Sequence, residues 1–225
     1  MTKIEMVVFD MAGTTVEDPG SVATCFHHAF TREKINVPPY EVNKVMGFRK
    51  RDAINVLLKK YYKGDENMGE LAERIHSSFT TSMVKYYQSA TPLRPLPHAE
   101  EIFSDLRSRE IRVTLNTGFT KPITDAILKR LQWNGNFIDG VVSSDEVEKG
   151  RPDPAMIFEL MRRLNISSAQ NVMKIGDTAV DIVEGRNAGC GVVMAITTGA
   201  YDRKQLEECS PDHIIDNLEQ IREFI

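Results

Sequence analysis

Only three cysteines, Cys25, Cys190 and Cys209, occur among the 225 residues. They are odd in number and far apart, with no Cys-x-x-Cys spacing and no histidine at zinc-ligand distance beside them. A disulfide framework is thereby excluded, and free thiols in a reducing compartment are expected. Long apolar runs are missing too: the first one, entered from Met1-Thr2-Lys3-Ile4, is interrupted by Glu5 and reaches Asp10 within a few residues. That is neither a secretion signal nor a membrane span, so a cytoplasmic protein with no membrane partner is expected. A cationic excess is also absent, since 28 Lys plus Arg stand against 32 Asp plus Glu, for a net charge of −4. Phosphate-backbone binding needs such an excess or a basic stripe, so no nucleic-acid partner is expected, and an anionic ligand must be small and met locally. No Gly-x-Gly-x-x-Gly follows the first apolar run, which disfavours a dinucleotide-binding enzyme.

What remains is a composition of 41% hydrophobic and 27% charged residues, that of a globular chain whose length suits one core carrying an insertion. Short apolar runs at Ile4–Phe9, Ile111–Leu115, Phe137–Val142, Val172–Ile175 and Gly191–Ile196 read as buried strands, with His213–Ile215 as an edge strand. Helical patterns at His98–Arg109, Lys121–Gln132, Asp153–Leu164, Ala179–Ala188 and Arg203–Glu208 alternate with them, and a terminal helix ends at Ile225. Alternation of this kind predicts an α/β fold with a Rossmann-like parallel sheet covered on both faces. From about Val16 to Thr91 the apolar residues, Phe26, Phe30, Ile54, Leu57, Leu58, Leu71, Ile75, Phe79 and Val84 among them, fall at three-to-four spacing with no strand. The expected organisation is a core of residues 1–15 and 92–225 with a helical cap of residues 16–91 inserted after the first strand. Pro92, Pro95 and Pro97 mark a rigid exit.

Ligands of open parallel sheets bind beyond the carboxyl ends of the strands, which gives the strand ends their interest. The first strand ends in Asp10-Met11-Ala12-Gly13-Thr14-Thr15 and the fourth in Gly176-Asp177, with Asp181 four residues on and on the same helical face. Asp10, Asp177 and Asp181 would gather hard oxygen ligands at one sheet edge, suited to Mg²⁺. The second strand leads into Asn116-Thr117-Gly118-Phe119-Thr120, and Glu148-Lys149-Gly150-Arg151-Pro152-Asp153-Pro154 puts two cations in a loop before a helix. Both supply donors for an anion on that same edge.

Taken in order, strand-Asp10-x-x-Gly-Thr, strand-Asn116-Thr117-Gly118, Arg151-Pro152-Asp153-Pro154 and Gly176-Asp177-x-x-x-Asp181 resemble the four motifs of the haloacid dehalogenase superfamily. The resemblance implies a Mg²⁺-dependent hydrolase in which Asp10 is the nucleophile and takes up a phosphoryl group. Thr117, with Gly118 and Thr14, would bind that group; Arg151 or Lys149 would neutralise it. Asp177 and Asp181 would hold the metal directly or through water, together with Asp10 and Ala12.

One departure matters. Phosphatases of the superfamily usually carry a second Asp, which protonates the leaving alkoxide, where Ala12 stands here. Losing a general acid costs roughly 10²- to 10⁴-fold. The Asp-x-Ala-Gly-Thr-Thr-Val variant is similar to that of the phosphonatase branch, which breaks a carbon–phosphorus bond through a Schiff base between a cap lysine and an aldehyde and needs no alkoxide acid. Met46-Gly47-Phe48-Arg49-Lys50-Arg51-Asp52 resembles that branch's Met-Gly-x-x-Lys-x-Asp, implying Lys50 as the amine and Met46 and Arg49 beside the substrate. Arg49 and Arg51 would lower the Lys50 pKa by like-charge repulsion. The histidine expected three residues after the lysine is replaced by Ala53, and the tyrosine after Gly118 by Phe119; His27, His28, His76 and His98 are expected on the cap or surface. The substrate is thus a small phosphonate such as phosphonoacetaldehyde or, if the basic loop only grips a remote group, a phosphate ester of the phosphoglycolate-phosphatase type. A silent phosphometabolite-binding module is a further reading, and monomer and homodimer are both open. The cap would close by hinges near Thr15–Glu17 and Thr91–Pro92.

Overall fold

A computed structural model describes residues 3–89 and 92–225. Its six strands are β1 (Met6–Phe9), β2 (Arg112–Thr117), β3 (Gly140–Ser143), β4 (Val172–Gly176), β5 (Val192–Ile196) and β6 (His213–Ile215). They form one parallel sheet in the order β3-β2-β1-β4-β5-β6. The direction of winding reverses beside β1, and a switch of that kind opens a crevice at the carboxyl ends of the strands. Four apolar residues make β1 and all are buried: Val7 and Phe9 pack into the cluster on one face, Met6 and Val8 into that on the other. A strand covered on both faces needs apolar residues at every position, hence the unbroken run.

The five helices between β1 and β2 are α1 (Ser21–Arg32), α2 (Pro39–Asn43), α3 (Lys50–Tyr61), α4 (Met68–Gln88) and α5 (Ala99–Ser108). The first four form the helical cap, cored by Phe26, Ile54, Leu58 and Phe79 among others. The rest are α6 (Lys121–Leu131), α7 (Ala155–Leu164), α8 (Ala179–Ala188) and α9 (Arg203–Glu208). The chain enters and leaves the cap side by side: Glu17 N–H donates to Arg94 O at 3.1 Å and Leu96 N–H to Thr15 O at 2.9 Å. Of the expected hinge positions, Thr91 lies outside the described residues. All three cysteines are free thiols. Among the described residues no helix is long and apolar enough to cross a membrane.

Three elements depart from expectation. β2 continues past Leu115 to Thr117, because the polar Asn116 finds a buried partner: its Nδ2 donates to Glu184 Oε1 at 2.9 Å. β3 starts only at Gly140, since the N–H groups of Phe137 and Ile138 both turn back to Asn134 O. The terminal helix is a 3₁₀ segment, Leu218–Phe224.

Candidate active site

Register brings the site together. Phe9 pairs with Leu115 on one side and Ile175 on the other, so Asp10, Asn116 and Gly176 stand at one level at the carboxyl edge of the sheet. The loop after β1 turns back at once. Gly13 adopts φ +88°, and a Cβ there would lie 2.8 Å from Asp177 Oδ2, so both conformation and space call for glycine. Thr15 Oγ1 donates to Asp10 O at 2.9 Å and fixes the turn.

A cavity of about 260 Å³ lies between this edge and the cap. Asp10, Ala12, Thr117, Gly118, Asp177 and, from the cap, Met46 and Lys50 line it, so seven of the expected site residues meet in one place. Asp10 Oδ1 accepts from Arg151 Nη1 at 2.6 Å, in a site where Arg151 is 1% exposed. Lys149 is exposed and does not line the cavity, so Arg151 is the cation that reaches the nucleophile position. Arg49 also lies outside: its Nη1 donates to Glu148 O at 2.8 Å, and it flanks a separate groove shared with Lys149. Thr14 is fully buried and turned to another task, its Oγ1 donating to Asp177 Oδ1 at 3.2 Å while Ala200 N–H holds Oδ2 at 2.7 Å.

Beneath Asp10 runs a buried charge network that sequence reasoning missed. Arg151 Nη1 meets Asp181 Oδ1 at 2.9 Å, its Nε donates to Glu184 Oε2 at 3.0 Å, and its Nη2 donates to the backbone and side-chain oxygens of Asn116. Lys174 sits on β4 with no exposure and reaches Asn116 Oδ1 at 2.8 Å, Asp181 Oδ1 at 3.0 Å and Glu184 Oε2 at 3.3 Å. Asp181 Oδ2 accepts from Thr178 Oγ1 at 2.5 Å. Both Asp181 oxygens are therefore engaged with protein groups. The sequence signal was a lysine inside an otherwise apolar strand, Val172-Met173-Lys174-Ile175, which can be buried only opposite carboxylates. Asp181 and Glu184, one helical turn apart on α8, supply them.

The titration of the group follows from burial. Asp10 is raised by desolvation, partly opposed by Arg151. Asp177 lies well above the ordinary carboxylate range because of burial and then the charges of Asp10 and Asp181. Asp181 is pushed up by burial but pulled lower overall by Arg151 and Lys174. Five carboxylates, Asp10, Asp18, Asp177, Asp181 and Glu184, thus share the site with three cations, Arg151, Lys174 and Lys50. An excess of negative charge out of water fits a divalent cation, and these hard oxygen donors suit Mg²⁺. Among the described residues no three His, Cys, Asp or Glu side chains stand close enough to hold a metal by themselves.

Lys50 opens α3 and is 4% exposed, with its amine 5.2 Å from the centre of the Phe119 ring and 3.3 Å from Phe48 O. Its pKa is lowered to about 8, by burial first and Arg151 also, against the opposing pull of Asp10, Asp18 and Asp177. The expectation that Arg49 and Arg51 cause the shift is corrected: Arg51 turns away to Glu73 and Arg49 to Glu148, and burial takes their place. Ala53 is packed in the cap core, and His98 pairs with Glu101 on the surface.

Cap and core touch backbone to backbone at Gly118, where a Cβ would lie 2.3 Å from Phe48 O. Gly118→Ala must push the cap away, and misplacement by about 1 Å costs on the order of 10²-fold. We expect kcat/KM to fall by about that factor, together with a modest fall in melting temperature because the clash is with backbone; unaltered kinetics would show that this contact does not set the catalytic geometry.

The chain resembles known proteins along nearly its whole length. A sequence profile of haloacid dehalogenase-like hydrolases matches residues 7–195. A phosphonoacetaldehyde hydrolase of Bacillus mycoides is 31% identical over 237 residues, covering 98% of this chain and 87% of that protein. Among solved structures, a phosphonoacetaldehyde hydrolase-like protein from Oleispira antarctica superposes with a TM-score of 0.82 at 21% identity, over 98% of this chain and 91% of that one. A predicted phosphoglycolate phosphatase from Haemophilus somnus gives 0.80 at 18% identity, over 100% and 99%. Two structures this distant in sequence share the fold, whereas the profile and the Bacillus relative carry the kinship. On these grounds the chain belongs to the haloacid dehalogenase-like hydrolases.

Proposed function

We propose that the protein is a Mg²⁺-dependent phosphonatase that cleaves the carbon–phosphorus bond of a small phosphonate aldehyde, of which phosphonoacetaldehyde is the simplest fit. The observation that carries this reading is that a buried amine, Lys50, lines the same cavity as Asp10. An amine with a pKa near 8 is neutral in roughly one molecule in ten at pH 7, enough to add to an aldehyde. Its place at the first residue of α3, beside the positive end of the helix, also favours the uncharged form.

Lys50 attacks the aldehyde carbon and, after loss of water, holds the substrate as an iminium. Asp10 then attacks phosphorus; as that bond forms, the carbon–phosphorus bond breaks and its electron pair passes into the iminium to give a neutral enamine. The developing negative charge lies beside Arg151, and the Thr117 hydroxyl and the Gly118 backbone line the space for the phosphoryl oxygens. No alkoxide leaves, so Ala12 costs nothing in this chemistry. Asp10, Asp177 and the Ala12 carbonyl would hold Mg²⁺, with Asp181 acting through water, and the ion would screen the repulsion between substrate and carboxylate. Water hydrolyses the aspartyl-phosphate in a second step.

Borohydride in the presence of phosphonoacetaldehyde is expected to trap an adduct on Lys50, detected by intact mass. The rate should rise about tenfold per pH unit below about 8 and level off above, because only the neutral amine reacts. Lys50→Ala should lose the adduct and at least about 10³-fold of turnover. An unaltered protein that gives no adduct yet hydrolyses small phosphate esters would instead be a phosphomonoesterase, a reading that the Haemophilus somnus likeness keeps alongside.

A further inference from the structure

Imine chemistry needs an acid when the carbinolamine loses water and a base when the product imine is hydrolysed. The position where a histidine for proton transfer was expected, 53, carries alanine. The cavity itself contains one further carboxyl group. Asp18 lines it together with Asp10, Lys50 and Asp177, and of these four titratable groups it alone has no part in nucleophilic attack, imine formation or metal binding.

Asp18 has an evident structural task, in which backbone N–H groups of the first turn, including that of Gly20, meet its carboxyl. Oδ1 accepts the N–H of Ser21 at 2.7 Å and of Val22 at 3.4 Å, capping the first turn of α1. Among the described residues no side chain hydrogen-bonds the other oxygen. The carboxyl is half-buried and within electrostatic reach of Lys50, each group sensing the charge of the other. Cys25 on α1 and Tyr87 on α4 also sense its charge, but neither lines the cavity. Burial raises the Asp18 pKa, against the helix N–H groups and Lys50, which favours the protonated form.

We propose that Asp18 is the catalytic acid and base of the imine steps, a reading that rests on the Schiff-base function proposed above. Asp18 gives its proton to the carbinolamine hydroxyl as the carbon–oxygen bond breaks; the Lys50 nitrogen lone pair forms the carbon–nitrogen double bond and water departs. After phosphoryl transfer the enamine carbon takes a proton from solvent, water adds to the iminium carbon and the Asp18 carboxylate takes that water's proton. The carbinolamine then collapses, its hydroxyl oxygen forming the carbonyl as the carbon–nitrogen bond breaks and the hydroxyl proton passes through solvent to the Lys50 nitrogen, which frees the aldehyde and the amine. The group ends as it began.

Two variants separate this role from the capping one. Asn and Ser cap a helix about as well as Asp but do not exchange a proton at this pKa. With phosphonoacetaldehyde and borohydride on the full chain, Asp18→Asn and Asp18→Ser are expected to keep the melting temperature of the unaltered protein. Their adduct should form at least about 10²-fold more slowly. Trapping at the unaltered rate in either variant, once shown to be folded, overturns the assignment to Asp18 while leaving the Lys50 chemistry standing. Absence of any adduct in the unaltered protein overturns both.

Discussion

Asp10→Asn is expected to lower turnover by on the order of 10⁴-fold or more while the protein stays folded. Asparagine has the shape of aspartate, and its side-chain oxygen can still accept from Arg151 Nη1, which among the described residues is the side chain that hydrogen-bonds the Asp10 carboxylate. Arg151 would keep Asp181, Glu184 and Asn116. What is lost is the nucleophile, since an amide oxygen does not form a stable acyl phosphate that water can cleave. Rapid-quench intact mass should reveal a phosphorylated chain in the unaltered protein and none in the variant. If D10N turned over at the full rate, attack by Asp10 would have to be given up, and with it the whole two-step course. The effect should exceed that of any cap substitution, because in the proposed course Lys50 and Asp18 prepare the substrate whereas Asp10 makes the bond.

Why the site edge was legible and the network beneath it was not comes down to which residues announce themselves. Asp10, Thr117 and Asp177 each end a short apolar run, and the end of a parallel strand is where a fold of this class exposes side chains. Lys50 was legible only through the loop Met46-Gly47-Phe48-Arg49-Lys50; its cause of activation was not, because a run of three cations reads as a solvated turn until burial separates the middle one from the other two. The buried pairing of Asn116 with Glu184 was invisible for a different reason. Each is a polar residue within an element that is otherwise accounted for, and its partner lies on another strand or helix, 68 residues away. Asp18 carries no motif in the sequence, and the fold shows it accepting from the first turn of α1. Thr14 shows the converse: an expected phosphoryl donor is spent on orienting Asp177.

The buried network makes a second strong prediction, this one in stability. Lys174→Met replaces a buried ammonium by an apolar side chain of similar length. The packing volume is nearly kept, so any loss is electrostatic. Lys174 meets two carboxylates, Asp181 and Glu184, and its removal leaves them to share Arg151, which also serves Asp10. Removing one partner of a buried pair costs about 3–5 kcal/mol, because the stranded charge has no water to turn to. At roughly 2–4 °C per kcal/mol for a chain of this size, the melting temperature should fall by on the order of 10 °C. The pairing predicts more than the loss. If charge rather than shape is at stake, Glu184→Gln should recover part of the stability in the Lys174→Met background, although alone it also destabilises, and the double-mutant cycle should show a coupling of at least about 1 kcal/mol. Additive losses would mean that the two residues act independently. The cycle also bears on Asp181: with Lys174 gone, Arg151 alone counters its charge, and a carboxylate less well compensated binds a divalent cation more readily. Apparent Mg²⁺ affinity should therefore rise in the variant even as the fold weakens, an opposite movement of two readouts that a general loss of packing would not produce.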